Sequence, residues 1–154
     1  MYRPLWSAQI LGEVGDALQN KLGIATEKCQ RRITRMMEAF PEASVQHPIC
    51  VAESLTGIPD ANDRHVLAAA ICGHAHVIVT SNLRDFPKEY LAQFDILCQS
   101  PDDFLVHQFH LNPYLVIEKL DEQALNIRQE KEYVLSTLNQ MVPNFVQTVA
   151  KLLY

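Results

Sequence analysis

Apolar positions in the first forty residues recur at helical spacing. Ile10, Leu11, Val14 and Leu18 share one face and Ser7 stands at its start, so the pattern predicts a first helix over about residues 8–20, capped by Ser7. Gly23 interrupts the pattern. A second helix is predicted from Thr26, read as its cap, to about Phe40, where Pro41 ends it. Its expected inner face is Cys29, Ile33, Met36, Met37 and Phe40. Lys28, Arg31, Arg32 and Arg35 fall on another face at i, i+3, i+4 and i+7.

The pattern then changes period. "ASVQHP" reads as a short strand and "ICVAESLTGIP" as an irregular segment. Asp63 is the expected cap of a helix running to about Gly73. The β-branched run "HVIVT", His76 to Thr80, predicts a buried parallel strand. A short helix near Lys88 to Gln93 and a strand in "FDILCQ" follow. Ser100 and Pro101 fit the cap and first position of another helix. Such alternation predicts an α/β layered domain. From Asn112–Pro113 onward every signal is helical, with a polar break at "NIRQEKEY". Pro143 opens a last helix with Phe145, Val146, Val149, Leu152 and Leu153 as its apolar face. The expected organisation is one domain, residues 1–154, with an α/β core over 1–110 and C-terminal helices over 111–154.

Composition narrows the class. The 154 residues, 48% hydrophobic and 20% charged, suit one globular core. No apolar run approaches the roughly 20 residues of a membrane helix, and the N-terminus lacks a signal-peptide pattern. Four cysteines, widely spaced and without a CxxC, fit reduced thiols in a cytoplasm. The net charge of −5 is not the basic excess usual for nucleic-acid binders, but a bound cation could supply local positive charge.

The candidate chemistry lies between Gly57 and Pro87. Asp60 and Asp63 precede an alanine-rich helix; Asp85 follows the "HVIVT" strand, with Asn82 three residues earlier. A helix of about ten residues rises ~15 Å and the strand returns a similar length, which brings both groups to one end of the sheet. Ligands of open parallel sheets bind beyond the carboxyl ends of the strands. On spacing alone two readings stand: the acids cap helices and close loops, or they converge on a hard divalent cation. Cys72, His74 and His76 are set by strand alternation to point different ways, against zinc. His65 either faces the acidic cluster or covers the helix, and the structural reading is preferred. The Lys28–Arg35 stripe reads as a solvated face paired with Glu27 and Glu38, or as a phosphate-backbone contact through residues such as Arg31 and Arg35. No Gly-rich phosphate loop or Ser-His-Asp signature is present.

The stretch "IPDANDRHVLAAAI…AHVIVTSNLRDFP" resembles the PIN-domain family, in its branch of VapC-like metal-dependent ribonucleases. "RPLWSAQILGEV", "SPDDFL" and "VPNFVQTVAKL" resemble further segments of that family. The resemblance implies a PIN-like parallel sheet flanked by helices, with acids that bind Mg²⁺ or Mn²⁺ for phosphodiester hydrolysis. Glu13 matches the family's helix acid, and Asp63 the acid before the alanine-rich helix, with Asp60 beside it. Asn82 stands where many members carry Asp and offers an amide oxygen. Asp85 is the remaining acid. Asp63, Glu13 and Asp85 are thus the expected catalytic acids, Asn82 and Asp60 further metal ligands, and Thr80 or Ser81 a hydrogen-bonding contact to substrate.

One departure stands out. The family's domains open with a strand bearing an essential Asp, followed by a helix, and this chain is expected to begin after both. An N-terminally truncated sheet would expose polar edges, inviting a partner strand or a homodimer. The resemblance therefore implies a cytoplasmic ribonuclease, the toxin of a toxin–antitoxin pair, with RNA and an antitoxin-like protein as partners and a weakened site. The alternative is an inactive PIN-like binding or interaction protein.

Overall fold

Ser7 sets the start of the first helix. Its side chain accepts the Ile10 N–H at 3.2 Å, and α1 runs Ala8–Asn20, as the pattern predicts. The computed structural model describes residues 2–46 and 49–153. Helix α2, Thr26–Ala39, begins differently from expectation. Thr26 is its first helical residue rather than its cap. Ala25 holds the cap position with no side-chain bond, its carbonyl taking the Lys28 and Cys29 amides. Cys29 is buried, whereas Met37 and Phe40 are 49% and 41% exposed. Met37 lies at the edge of the apolar arc, and Phe40 is the cap residue beyond the last helical turn. Ile33 and Met36 turn inward with Trp6, Leu11 and Ala43, and Phe40 meets Trp6 edge-on at 6.1 Å between ring centroids.

The strand expected in "ASVQHP" shrinks to one parallel bridge between Trp6 and Ser44, fixed by Trp6 N–H to Ala43 O (2.9 Å) and Val45 N–H to Trp6 O (2.8 Å). His47 and Pro48 lie outside the described residues. The segment expected to be irregular contains a short helix, α3, Ile49–Ser54, packed on α4, Arg64–Cys72. Helix α4 stops at Gly73 as expected. The left-handed turn comes one residue later, at His74 (φ 54°).

Both strands are shorter than predicted. β1 is Val77–Val79 and β2 is Leu97–Gln99, a parallel pair set by Leu97 N–H to His76 O (2.9 Å) and Thr80 N–H to Gln99 O (3.0 Å). The first half of "FDILCQ" is used in closing the turn after α5, Lys88–Leu91. Asp95 is left-handed (φ 56°), and the Ile96 N–H returns to the Leu91 carbonyl at 3.3 Å. The result is an α/β chain in which helices dominate and the parallel sheet, among the described residues, has two strands.

The chain divides into two compact units, Tyr2–Ile78 with Leu83–Cys98, and Val79–Asn82 with the chain from Gln99 onward. In the first unit Ile58, Leu67 and Leu91 are wholly buried, among Leu55, Ile78 and Phe86. A Cβ at Gly57 would run into the Tyr90 ring, so only glycine fits there. The second unit holds α6 (Pro101–Leu111), α7 (Pro113–Ile127), α8 (Lys131–Leu138) and α9 (Pro143–Leu153). Ser100 and Asn112 cap α6 and α7 by accepting the Asp103 and Leu115 amides, each at 3.1 Å. Arg128, left-handed, ends α7 within the predicted polar break. Phe145 and Val149 of α9 are buried and Val146 and Leu153 pack beside them, but Leu152, expected on the same face, falls at its edge and is 51% exposed. Among the described residues no helix is long and apolar enough to cross a membrane.

Asp102 joins α6 to α9. Its nearly buried carboxylate accepts the Phe145 N–H at 2.7 Å, the Asn144 N–H at 3.1 Å and the Asn144 side-chain amide at 2.9 Å. It supplies from 42 residues away the cap that the α9 N-terminus needs. Asp102→Ala should strand a buried amide and cost about 2–3 kcal/mol. A fall in the urea midpoint at unchanged slope would register it.

Candidate functional site

Four of the expected acids belong to the first unit, and each is placed by a different local device. Glu13 sits mid-way along α1. Asp60 precedes a single 3-10 turn, Ala61–Asp63, and its carboxylate accepts the Asn62 N–H at 2.9 Å. Asp63 occupies the cap position of α4 but makes no side-chain capping bond there. The capping work expected of Asp63 is thus done one turn earlier by Asp60, and the Asp63 carboxylate is not committed to the helix end. Asp85 closes the 3-10 turn Leu83–Asp85.

The four carboxylates share one electrostatic field. Asp63 is half-buried, and its proton affinity is raised first by burial, then by repulsion from Asp60, Asp85 and Glu13. His65 acts on it in the opposite sense. The donors are all carboxylate oxygens, the hard type that suits Mg²⁺ or Mn²⁺. They do not form a ready coordination shell: among the described residues no three His, Cys, Asp or Glu side chains stand close enough to hold a metal ion together.

Of the two places open to His65 in the sequence, the structure takes the one facing the acids. It is 4% exposed, and its Nε2 lies 2.8 Å from Glu13 Oε1. The ring N–H does not point along that line, so the contact is electrostatic rather than a formed hydrogen bond. Nδ1 of the same ring has no hydrogen-bond partner among the described residues. His65 lies in the first turn of α4, two positions after Asp63, and its contact is with Glu13 of another helix, which no spacing within α4 signals.

The remaining expected residues fall in two places. Thr80, Ser81 and Asn82 follow β1 in the second unit, where the Asn82 N–H donates to Thr80 Oγ1 at 3.1 Å. Arg31 and Arg35 lie exposed on α2. Cys72, His74 and His76 gather no metal-ligating set.

Comparison with known proteins gives these features a family. Residues 1–84 match the family model described as PIN domain. The chain is 37% identical over 93 residues to the protein named "Putative ribonuclease VapC50" of Mycobacterium tuberculosis, a match covering 58% of this chain and 55% of that one. The chain therefore spans about half the length of the curated relative it matches. No solved structure matches it. With more than half of its length matched, and with a small parallel sheet among helices in the α/β manner of that fold, the protein belongs to the PIN-domain family.

Proposed function

We propose that the protein is a divalent-metal-dependent ribonuclease, the toxin of a toxin–antitoxin pair. The observation that carries the reading is the crowding of Asp63 by Asp60, Asp85 and Glu13, which His65 partly offsets. Mutually repelling carboxylates at a half-buried point cost the fold stability, and a hard cation is the ligand that would relieve them. The relative's name points the same way.

In this reading Asp63, Glu13 and Asp85 would hold Mg²⁺ or Mn²⁺, with Asp60 alongside, the ion drawing together carboxylates that do not stand as a ready shell without it. A bound ion supplies Lewis-acid stabilisation for phosphodiester hydrolysis. The chain's own residues order the site. His65 holds the Glu13 carboxylate on the α4 side, so that one ligand is placed before any ion arrives. The hydroxyls of Thr80 and Ser81 are donors for an RNA phosphate. An antitoxin-like protein and a second copy of the chain are the proposed partners, and the cytoplasm the proposed location.

Asp63→Asn should lower Mn²⁺-dependent RNA cleavage at least about 100-fold, equivalent to roughly 2.7 kcal/mol of barrier, and abolish the calorimetric signal of Mn²⁺ binding. If the wild-type chain gives no such signal, the second reading, an inactive PIN-like interaction protein, replaces this one.

The raised proton affinity of Asp63 has a thermodynamic sign. The folded state holds that proton more tightly than the unfolded state, so the stability it confers is present at low pH and lost as pH rises through the raised pKa. At neutral pH the ionised side chain is a burden. In the absence of divalent ions, Asp63→Asn should therefore melt higher than wild type at pH 7, with the difference closing below about pH 4. Thermal melts across pH in chelator check this; a variant that melts lower throughout would contradict the crowding.

A further inference from the structure

Helix α2 carries four cations on one face. Lys28, Arg31, Arg32 and Arg35 are all exposed, at spacings of three and four residues. They are four of only thirteen basic side chains in a chain of net charge −5. Glu27 and Glu38, on the same helix, were available to neutralise them and do not. Among the described residues the ion pairs join Glu13 to His65, Lys119 to Glu122 and Lys131 to Asp121, and none takes up a cation of this face.

The arrangement works against its own helix. Lys28–Arg32 and Arg31–Arg35 are like-charge pairs at i, i+4, and Lys28–Arg31 and Arg32–Arg35 at i, i+3; each opposes helix formation. Lys28 is the third helical residue, at the positive end of the macrodipole, and no side chain caps that end. The last turn, where cations would be favourable, has none. Four like charges at these spacings, none of them in an ion pair among the described residues, suit a polyanion outside the chain.

The face also belongs to the helix pair that presents Glu13. α2 packs on α1 through Ile33 and Met36, and α1 meets it so closely that a Cβ on Gly15 would come 3.3 Å from Ile33 Cδ1. Gly15 lies two residues from Glu13.

We propose that the Lys28–Arg31–Arg32–Arg35 face of α2 is the docking ridge for the phosphate backbone of single-stranded RNA. The ligand class rests on the ribonuclease reading; the ridge itself rests on charge and exposure. The ridge meets phosphates, so it contributes affinity and positioning but no base sequence preference.

The test is fluorescence anisotropy with a labelled oligoribonucleotide of about twelve nucleotides, in chelator, on the full chain. Arg31→Ala/Arg35→Ala should weaken binding at least tenfold at low salt. The slope of log K against log salt should fall by about 0.7 for each phosphate that the variant no longer neutralises. Arg31→Lys/Arg35→Lys should restore most of the affinity, since point charges suffice for a backbone. Lys21→Ala, an exposed cation off this face, should leave binding unchanged, and circular dichroism checks that each variant is folded. Unaltered affinity and slope in the double alanine variant would overturn the proposal. So would variants that lose affinity for a polyglutamate peptide but keep it for RNA, which would make this the seat of an acidic protein partner. Asp63→Asn separates the two readings: it should bind RNA in chelator like wild type. Ridge-dependent RNA binding without Mn²⁺-dependent cleavage removes the nuclease and leaves the ridge. Cleavage with an indifferent ridge does the reverse.

Discussion

The contact between the His65 ring and the Glu13 carboxylate is the constraint on which the acidic site depends. Glu13 comes from α1 and Asp63 from the start of α4, and carboxylates left to themselves would move apart into solvent. A nearly buried ring 2.8 Å from Glu13 limits that retreat. It also partly offsets the repulsion on Asp63. The ring is in turn fixed by burial beside Leu67, Ala68 and Ala69 on the apolar turns of α4. Small residues there let the helix sit close to its neighbours, so the alanine run has a function in placing charge as well as in packing.

How far this could be read in advance depended on which force governed each segment. Caps were legible because one side chain decides them: Ser7, Ser100 and Asn112 all hold the helix starts their positions suggested. The exceptions share a cause. Thr26 and Asp63 have capping side chains, but the chain enters the helix one residue early at Thr26 and through a 3-10 turn before Asp63, so the local signal was outweighed by the backbone path. Strand length was not legible. "HVIVT" and "FDILCQ" have strand composition throughout, yet the left-handed residues at His74 and Asp95 bound the stretch that can pair. Met37 and Phe40 look internal by spacing, but Met37 stands at the edge of the apolar arc and Phe40 is the cap residue past the helix end. The crowding of Asp63 depends on Glu13, fifty residues earlier, and no pattern within a single window carries that.

The first unit sets two opposed fields on one scaffold. Acids gather around Asp63, while the neighbouring helix α2 concentrates cations that no acid of the described residues neutralises. Either group alone lowers stability, and a fold selected for stability alone would have paired them. Keeping them separate leaves an acidic and a basic region on the same unit, each with its own local potential.

The brevity of the sheet has a consequence for assembly. β1 and β2 are three residues each, and Val79 and Leu97 remain open to water. So short a rail offers a stray chain too few rungs to lock a register against, which guards a half-uncovered hydrophobic ribbon from fibrillar growth without gatekeeper charges.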